Sequence, residues 1–321
     1  MARQSVPGKL ETGVMRVLAL LLCALPLFAQ PVIKVSAGGS IQKALDEAPS
    51  TGALINIEAG TYREVVSVNK PNITLRGLGV QNSDTVIVFD KSAGTAGGTS
   101  KSATVNITAD NFTGENLTFS NDFNRTHEQV QAGSQALAVA VTGSKAIFRN
   151  MRFLGNQDTV YAAKGTQYFT HCYIEGNVDF IFGDAKAFFD HCELHNTPHK
   201  AGGYVTAQSK NSPDQDSAYI FDHCRLTAEP GQTRVYLGRP WRPYAAVIFL
   251  NTEMGPHIEA AGWREWHAGE TKSLETAYYA EYNSTGPGAN AAKRDAHSHQ
   301  LTAAEAAKYE VKTFFQGWDP R

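Results

Sequence analysis

The stretch "NQDTVYA" (156–162) is followed, after a short intervening segment, by "NVDFIFG" (177–183). Both segments read asparagine, any residue, aspartate, any residue, apolar, aromatic and small, so Asp158 and Asp179 occupy the same place in the repeat. A fixed period of about 20 residues, made of short apolar segments, is typical of solenoids whose coils stack on one another. The repeat therefore predicts one coil per period.

A second repeated phrase supports the same period. It places a histidine before each cysteine in "FTHCYIEG", "FDHCELHN" and "FDHCRLTA", at Cys172, Cys192 and Cys224. The short segments are rich in Val, Ile, Phe and Thr, Asn and Gly separate them, and helical periodicity is almost absent between 50 and 260. These patterns predict an all-β fold, namely a single-stranded right-handed parallel β-helix with short capping helices.

Two segments predict the capping helices. In "SIQKALDEAPS" (40–50), Ser40 is a candidate N-cap, and the following apolar residues fall on one helical face that can cover the first coil. In "TAAEAAKYEVKTFF" (302–315), Thr302 is followed three residues later by Glu305, which is the pattern of a capping box. We expect these two helices to close the ends of the solenoid.

The three cysteines are expected to stack on one face, because equivalent residues of neighbouring coils lie about 4.8 Å apart. Two stacked cysteines can form a disulfide in an oxidising compartment. A ladder of small, buried, unpaired side chains is an equal alternative, and the residues themselves leave the choice open.

The N-terminus predicts an export signal. "MRVLALLLCALPLFAQ" (15–30) has Arg16, then an apolar run too short to span a bilayer comfortably, then a small residue at Ala29. Met15 is an alternative start of the natural chain. We therefore interpret residues 1–30 as a signal peptide and 31–321 as a single domain, and we expect a secreted or periplasmic protein that is not held in a membrane.

Composition excludes some function classes. The chain has 321 residues, of which 42% are hydrophobic and 19% are charged, and its formal net charge is −2. That is enough apolar material for a large core. The near-neutral charge does not favour nucleic acid as a partner. An anionic substrate would have to be held by a local group of charges.

The repeat period brings two carboxylates together. If one coil is one repeat, Asp158 and Asp179 lie on neighbouring coils, where they cannot both ionise easily. The pKa of one is then raised while that of the other stays low, which gives one acid and one nucleophile or base. The alternative is an aspartate ladder that binds turn amides or Ca²⁺.

Neighbouring residues favour the catalytic interpretation. Gln157 precedes Asp158 directly, and Gln135 lies before it by about one further coil. Two neutral amide donors suit an oxyanion hole, whereas Ca²⁺ requires more carboxylates. Arg239 supplies a cation that can pair with one aspartate and hold its pKa low, and Trp241 offers a face for a sugar ring. Together they predict acyl transfer with a carboxylate nucleophile.

These residues carry a family resemblance. Over about 32–318 the sequence resembles the pectinesterases, also called pectin methylesterases, of the bacterial secreted type. It lacks the long N-terminal inhibitor-like domain of plant members. The matching motifs, in the order expected for the family, are "GTYRE" (60–64), "QALAVAV" (135–141), "FLGNQDTVYA" (153–162), "YIEGNVDFIFG" (173–183), "YLGRPW" (236–241) and "GWREW" (262–266).

The resemblance implies a role for each site residue. Asp179 is the nucleophile, Asp158 is the general acid and base, and Gln157 with Gln135 stabilises the oxyanion. Arg239 orients Asp179. The residues implied to contact substrate are Thr99, Gln135, Tyr161, Phe180, Arg239 and Trp241. The resemblance also implies a Cys192–Cys224 disulfide that leaves Cys172 free.

The implied function is hydrolysis of the C6 methyl esters of galacturonate units in pectin, with release of methanol. The implied partner is methyl-esterified homogalacturonan, the enzyme acts as a monomer, and the chemistry requires no metal and no organic cofactor. His195 and His199 are four residues apart, but Pro198 between them favours a loop over a helical metal pair.

Two other functions fit parts of the pattern. A glycoside hydrolase acting on polygalacturonate also uses two carboxylates, but its oxocarbenium-like transition state needs no oxyanion hole. A non-catalytic carbohydrate-binding β-helix would not need the complete set of two aspartates, two glutamines and an arginine. The functional prediction rests on the motifs, because one fold hosts many chemistries.

Overall fold

The computed structural model describes residues 1–4, 8, 30–123, 132–267, 269 and 272–321. The predicted signal segment lies almost entirely outside the described residues. In the described part, parallel strands form three sheets that run the length of a solenoid. The predicted right-handed parallel β-helix is confirmed.

The strands are numbered in chain order, and each complete coil contributes one strand to each of the three sheets. The eleven-stranded sheet contains β1 (Val32–Val35), β2 (Ala53–Ile57), β5 (Ile73–Gly77), β8 (Thr113–Glu115), β11 (Ala146–Arg149), β14 (Thr166–Thr170), β17 (Lys186–Asp190), β20 (Ala218–Asp222), β23 (Ala246–Leu250), β25 (Tyr278–Tyr282) and β26 (His299–Gln300). The seven-stranded sheet contains β4 (Val66–Val68), β7 (Val105–Ile107), β10 (Val139–Val141), β13 (Val160–Ala162), β16 (Val178–Gly183), β19 (Gly203–Gln208) and β22 (Val235–Gly238). The eight-stranded sheet contains β3 (Gly60–Arg63), β6 (Thr85–Phe89), β9 (Thr118–Asn121), β12 (Arg152–Leu154), β15 (Tyr173–Gly176), β18 (Glu193–Asn196), β21 (Arg225–Ala228) and β24 (Glu253–Met254).

Helices are short and lie outside the coils. The α-helices are α1 (Ile41–Glu47), α2 (Ala93–Ala96), α3 (Lys272–Thr276), α4 (Ala303–Ala306) and α5 (Val311–Phe314). Single 3₁₀ turns span Thr99–Lys101, Ala291–Lys293 and Ala307–Tyr309.

The strand register confirms the repeat period read from the sequence. In the pairing of β13 with β16, Val160 lies opposite Ile181, the residue at the same place in the second phrase of the repeat. Two residues before each of them are Asp158 and Asp179, so the aspartates occupy equivalent places on adjacent coils. One coil is therefore one sequence repeat at the site.

Stacked side chains fill the interior. Five phenylalanines that are partners in the eleven-stranded sheet stack along the axis, with ring centroids 4.5 or 4.6 Å apart and planes within 14° of parallel. They are Phe148, Phe169, Phe189, Phe221 and Phe249. A stack at the strand spacing buries each ring on both faces, which makes the solenoid rigid enough to position side chains on its surface.

The N-terminal cap is as predicted, and the C-terminal segment is not. In α1 the Ser40 side chain accepts a hydrogen bond from the Lys43 amide, and the apolar face is buried on the core. Thr302 and Glu305 form the predicted capping box of α4. However, the C-terminal helices bury Val311 and Phe314 against the outer face of the eleven-stranded sheet, because that face carries a second apolar cluster. They cover a side of the solenoid and not its end.

The cysteines are stacked, buried and unpaired. Cys172, Cys192 and Cys224 are all free thiols in the structure, so the Cys192–Cys224 disulfide implied by the resemblance is absent. Each sulfur instead lies 3.4–3.6 Å from a backbone carbonyl of the preceding coil, to which the thiol donates. The three thiols are buried in the core. Of the two alternatives, the structure therefore shows the ladder of small, unpaired side chains and not a disulfide.

One turn position forms a continuous column on the surface. It follows the eleven-stranded sheet and precedes the eight-stranded sheet, and its residues all have φ between 48 and 55°. Asparagine favours this left-handed conformation because its short polar side chain bonds locally, and it fills the ends of the column. The middle three places hold histidines. The column consists of Asn116, Asn150, His171, His191, His223, Asn251 and Asn283.

Candidate active site

The two aspartates meet on the seven-stranded sheet. Asp158 lies just before β13 and Asp179 lies within β16, and both line one cavity of about 430 Å³. Both also have positive φ, 65° and 52° respectively, which is unusual for a residue other than glycine. At Asp179 the pairing of β16 with β19 shifts register, so this strand carries an irregularity at the site. Such local strain is often found at functional positions.

Arg239 holds Asp179 in a bidentate ion pair. Its Nε lies 2.9 Å from Oδ1 of Asp179 and its Nη2 lies 2.6 Å from Oδ2. The side chains are 18% and 6% exposed, so the pair is largely shielded from water. A planar guanidinium fixes both the position and the plane of the carboxylate. The predicted pairing of Arg239 with one aspartate is present.

Burial raises the pKa of both aspartates, and Arg239 opposes it by direct hydrogen bonds only at Asp179. Burial raises the pKa of Asp158 well above its usual range, and the charge of Asp179 raises it further against the opposing effect of Arg239. Burial also raises the pKa of Asp179, while the hydrogen bonds and charge of Arg239 lower it. The prediction that Arg239 holds this pKa low is therefore wrong, because burial outweighs the guanidinium. Nevertheless, Arg239 favours the ionised form of Asp179 by direct hydrogen bonds, and Asp158 has no such support.

The two glutamines are available as donors. Gln135 and Gln157 both line the cavity and are partly exposed. Among the described residues, no side-chain hydrogen bond occupies either amide. Their backbones are fixed, because the Ala93 amide donates to the carbonyl of Gln135 and the Ala136 amide donates to that of Gln157. Two such amides lining the same cavity as a carboxylate suit a developing oxyanion.

Aromatic side chains form one wall of the cavity. Tyr161 and Phe182 are register partners and stack with centroids 4.5 Å apart. Trp241 lies 5.8 Å from Phe182 and 6.4 Å from Trp266. These rings give a partly exposed apolar surface next to the carboxylates, as a sugar-binding groove requires.

The prediction that Phe180 contacts substrate is wrong, and Phe182 lines the cavity instead. Phe180 is 0% exposed and belongs to the central core, so it cannot touch a substrate in this structure. Phe182 lines the cavity. The repeat contained the necessary signal, since Tyr161 and Phe182 are both the aromatic residue of the repeated phrase and lie one repeat apart.

Other residues of the site were found or missed as follows. Thr99 and Trp241 line the cavity as predicted, and Ser100, Ala207 and Trp266 were missed. The guanidinium carbon of Arg239 lies 4.1 Å from the ring centroid of Tyr204 and 4.1 Å from that of Trp266. Each ring makes a cation–π contact with the arginine. No sequence repeat links these residues to Arg239, so only the tertiary structure reveals them.

The arrangement does not favour calcium at the aspartates. Both oxygens of Asp179 accept hydrogen bonds from Arg239. Asp158 is then the one unpaired carboxylate among the described residues that line the cavity. Ca²⁺ prefers six to eight oxygen ligands and several carboxylates. The pair is better suited to nucleophilic and acid–base chemistry.

A parallel β-helix whose cavity is lined by aromatic rings, a carboxylate held by arginine, a second buried carboxyl and two glutamine side chains is the arrangement of a carbohydrate-active enzyme of the ester hydrolase class. Comparison with known proteins gives the family. The family model described as Pectinesterase matches residues 35–318. The chain belongs to the pectinesterase family, whose members are carboxylic ester hydrolases.

Individual relatives agree with this assignment. The chain is 35% identical over 297 residues to "Putative pectinesterase 14" of Arabidopsis thaliana, covering 89% of this chain and 87% of the relative. The solved structure of pectin methylesterase from carrot matches with a TM-score of 0.81 at 31% identity, over 89% of this chain and 93% of that one. A structure of a pectin methylesterase in complex with a hexasaccharide matches with a TM-score of 0.75 at 30% identity, over 89% and 98% of the two chains.

Proposed function

We propose that this protein hydrolyses the methyl esters of galacturonate units in pectin and releases methanol. One observation carries the catalytic part of the proposal: Arg239 holds Asp179 by two hydrogen bonds in a cavity that Asp158 also lines. The hexasaccharide complex of a related pectin methylesterase supports an extended oligosaccharide as the ligand of the aromatic groove.

Acylation is the first step. An oxygen of ionised Asp179 attacks the C6 carbonyl carbon, and the carbonyl electrons move onto its oxygen. Gln157 and Gln135 donate hydrogen bonds to that oxyanion. When the tetrahedral intermediate collapses, the bond to the methoxy group breaks and Asp158 gives its proton to departing methanol. An anhydride between galacturonate and Asp179 remains, and Asp158 is ionised.

Deacylation restores the enzyme. Ionised Asp158 removes a proton from water while the water oxygen attacks the galacturonate carbonyl carbon of the anhydride. The amides hold the second oxyanion, and collapse breaks the bond to Asp179. The galacturonate unit leaves as the free acid within the pectin chain, the Asp179 carboxylate is regenerated, and Asp158 again carries a proton. Arg239 is paired with the Asp179 carboxylate before acylation and again after deacylation.

The test is product analysis on highly methylated pectin, with and without a chelator. We expect methanol and no new reducing ends, at equal rates in both conditions. Asp179→Asn, which keeps the shape and removes the charge, should lose nearly all methanol release and stay folded by circular dichroism. Asp214→Asn, at an exposed carboxylate, is the matched control and should retain activity. New reducing ends would instead establish a glycoside hydrolase, and saturable pectin binding without turnover a binding protein.

We also propose that the chain is exported as a monomer, with residues 1–30 as the signal peptide and 31–321 as one domain. The apolar run after Arg16 supports export. In the part of the chain that the structure describes, no helix is long and apolar enough to cross a membrane. N-terminal sequencing of the mature protein, together with light scattering for its mass, tests the proposal. A mature N-terminus that precedes or falls within the apolar run before Ala29 would contradict the signal assignment.

A further inference from the structure

One aromatic ring that contacts Arg239 lies outside the catalytic cavity. Of the two rings whose centroids are 4.1 Å from the guanidinium carbon, Trp266 lines the cavity, where a substrate can reach it, and Tyr204 does not. Aromatic faces attract a guanidinium most where water is excluded, and the Arg239 side chain is only 18% exposed. Tyr204 therefore contacts the arginine without being placed to contact the substrate.

The arginine needs support because its side chain crosses a whole coil. Arg239 follows β22, Asp179 lies in β16, and β19 separates these two strands in the seven-stranded sheet. Two strand spacings amount to about 9–10 Å, so the side chain must extend over β19 to reach the carboxylate. The Arg239 amide donates to the Thr206 carbonyl of β19 at 3.1 Å, which anchors the backbone but not the guanidinium. A long side chain left without further contacts keeps much of its rotamer freedom.

Tyr204 stands on the strand that the arginine crosses, beside the nucleophile. Its register partners are Tyr236 and Val178, and Val178 directly precedes Asp179. The register shift that contains Asp179 begins directly after this pair. The ring of Tyr204 also stacks on that of Tyr236, with centroids 5.5 Å apart and planes at 19°. Two neighbouring strands and a stacked ring therefore hold Tyr204 in place.

A residue that holds the arginine also holds the nucleophile. Nε and Nη2 of Arg239 donate to the two oxygens of Asp179, and no other side chain in the described part of the chain hydrogen-bonds to that carboxylate. Two parallel bonds transmit the orientation of the guanidinium to the carboxylate. Rates are sensitive to displacements of reacting groups by about 1 Å. A ring that restrains the arginine therefore restrains the attacking oxygen.

We propose that Tyr204 is a positioning residue that acts through Arg239: its ring face holds the guanidinium over β19, so that Asp179 is oriented for attack. The kinetic consequences of this inference rest on the proposed ester hydrolysis, whereas the contact itself does not. The ring and not the hydroxyl carries the role, because the guanidinium lies over the ring.

The first test is nuclear magnetic resonance of the arginine side chain, which needs no substrate. The Nε–H signal of Arg239 is identified as the one lost in Arg239→Met, and its hydrogen exchange with water is measured. We expect exchange about 3–30-fold faster in Tyr204→Leu, the factor equivalent to one cation–π contact. Tyr204→Phe keeps the ring face and should exchange at the wild-type rate. Tyr204→Val, which suits a strand, replaces the leucine variant if that variant does not fold.

The second test is turnover on methylated oligogalacturonate. Tyr204→Leu should lower kcat by the same factor of about 3–30 with little change in KM, and Tyr204→Phe should restore it. A less firmly held guanidinium opposes the effect of burial less, so the pKa of Asp179 rises and the acid limb of the pH profile moves to higher pH. Besides Arg239, the ionisable side chains that interact electrostatically with Asp179 are Asp158 and Tyr279, and the substitution leaves both in place.

A double substitution decides whether the effect runs through the arginine. In an Arg239→Met background, Tyr204→Leu should cause no further fall in kcat, because the two changes remove one interaction. Phe89→Leu is the matched control. Phe89 lies 5.7 Å from the ion-paired guanidinium of Arg63 but does not line the cavity, so its loss should leave kcat and the pH profile unchanged.

The outcomes separate this inference from the proposed function. A wild-type protein that releases no methanol would overturn ester hydrolysis, and the exchange measurement would still decide the role of Tyr204. The inference itself would be overturned by wild-type exchange in Tyr204→Leu, by a rise in KM alone, or by an undiminished effect of this substitution in the Arg239→Met background.

Discussion

At the scale of single residues, the proposed division of roles between Asp158 and Asp179 rests on their different partners. Both oxygens of Asp179 accept hydrogen bonds from the Arg239 guanidinium. The pKa of Asp158 is raised by burial and by the negative charge of Asp179. A buried carboxyl without a cation on its oxygens is suited to deliver a proton, and one whose ionised form arginine hydrogen-bonds is suited to attack. The pair is expected to titrate as a coupled unit, so a pH profile reports on both groups together.

Arg239→Met tests this division. Activity requires ionised Asp179 and protonated Asp158, so the pH profile of turnover should be a bell. Without the guanidinium, burial raises the pKa of Asp179 further, because nothing opposes it. The acid limb should therefore move to higher pH, measured as kcat on methylated oligogalacturonate. An unmoved acid limb with only a higher KM would show that Arg239 contacts substrate and does not tune the nucleophile.

Gln157→Ala tests the oxyanion hole. Removing one donor to a developing oxyanion lowers turnover by about 10²–10³. We expect a fall in kcat of that size and little change in KM, because the ground-state ester gains little from the donor. Gln215→Ala, at a glutamine outside the cavity, is the control and should keep its kcat. A rise in KM at unchanged kcat would place Gln157 in substrate binding instead.

At the scale of elements, the site depends on how closely two coils approach. Gly176 ends β15 just before the segment that carries Asp179. A Cβ there would overlap the Cβ of Phe180 and lie 2.6 Å from the carbonyl oxygen of Asn156, which belongs to the coil of Asp158. The glycine thus permits the contact that sets the two aspartates beside each other.

Gly176→Ala should separate the two coils at the site. The overlap is with backbone and a Cβ, so it cannot be relieved by a flexible side chain, and we expect destabilisation of about 1–3 kcal/mol. Turnover should fall as well, since small displacements of reacting groups are costly. Gly94→Ala is the matched control, because its nearest contacts would be ordinary ones at 3.4 Å or more. Unchanged melting temperature and turnover in Gly176→Ala would contradict this account.

At the scale of the whole molecule, one buried ion pair secures the C-terminal loop. Arg294 contacts Glu281 of β25 at 2.6 Å, and the side chains are 2% and 3% exposed. The same guanidinium donates to the carbonyls of Gly288 at 2.8 Å and Ala260 at 3.1 Å. It therefore ties the loop after β25 to the last coil, and a fully hydrogen-bonded arginine satisfies the buried carboxylate.

Arg294→Met should destabilise the protein. It leaves the Glu281 carboxylate buried without its partner, and breaking such a pair costs about 3–5 kcal/mol. The measurement is the free energy of unfolding in urea. Arg76→Met is the control, because the Arg76–Glu115 pair is 44% and 26% exposed and such pairs contribute at most about 1 kcal/mol. Similar losses in both variants would show that burial does not decide the effect.

The sequence by itself determined the architecture, because a solenoid repeats local rules. The period of the repeat fixed the coil, and the coil placed Asp158 beside Asp179. The N-caps of the terminal segments were also local, and Ser40 and Thr302 cap helices as predicted. Helix capping depends on a few neighbouring residues, and coil stacking depends on one repeat period. Both can therefore be recognised in a single sequence.

Only the tertiary structure decided the features that depend on which way a side chain points and on contacts between residues distant in the sequence. The left-handed turn at Asp179 sets which following residue faces the core, so Phe180 is buried and Phe182 reaches the groove. Burial decided the net pKa shift of Asp179, against the effect of Arg239, which is distant in the sequence. The outer apolar face of the eleven-stranded sheet attracted the C-terminal helices. Desolvation and packing depend on groups contributed by many coils. The pattern of a single repeat therefore does not predict them.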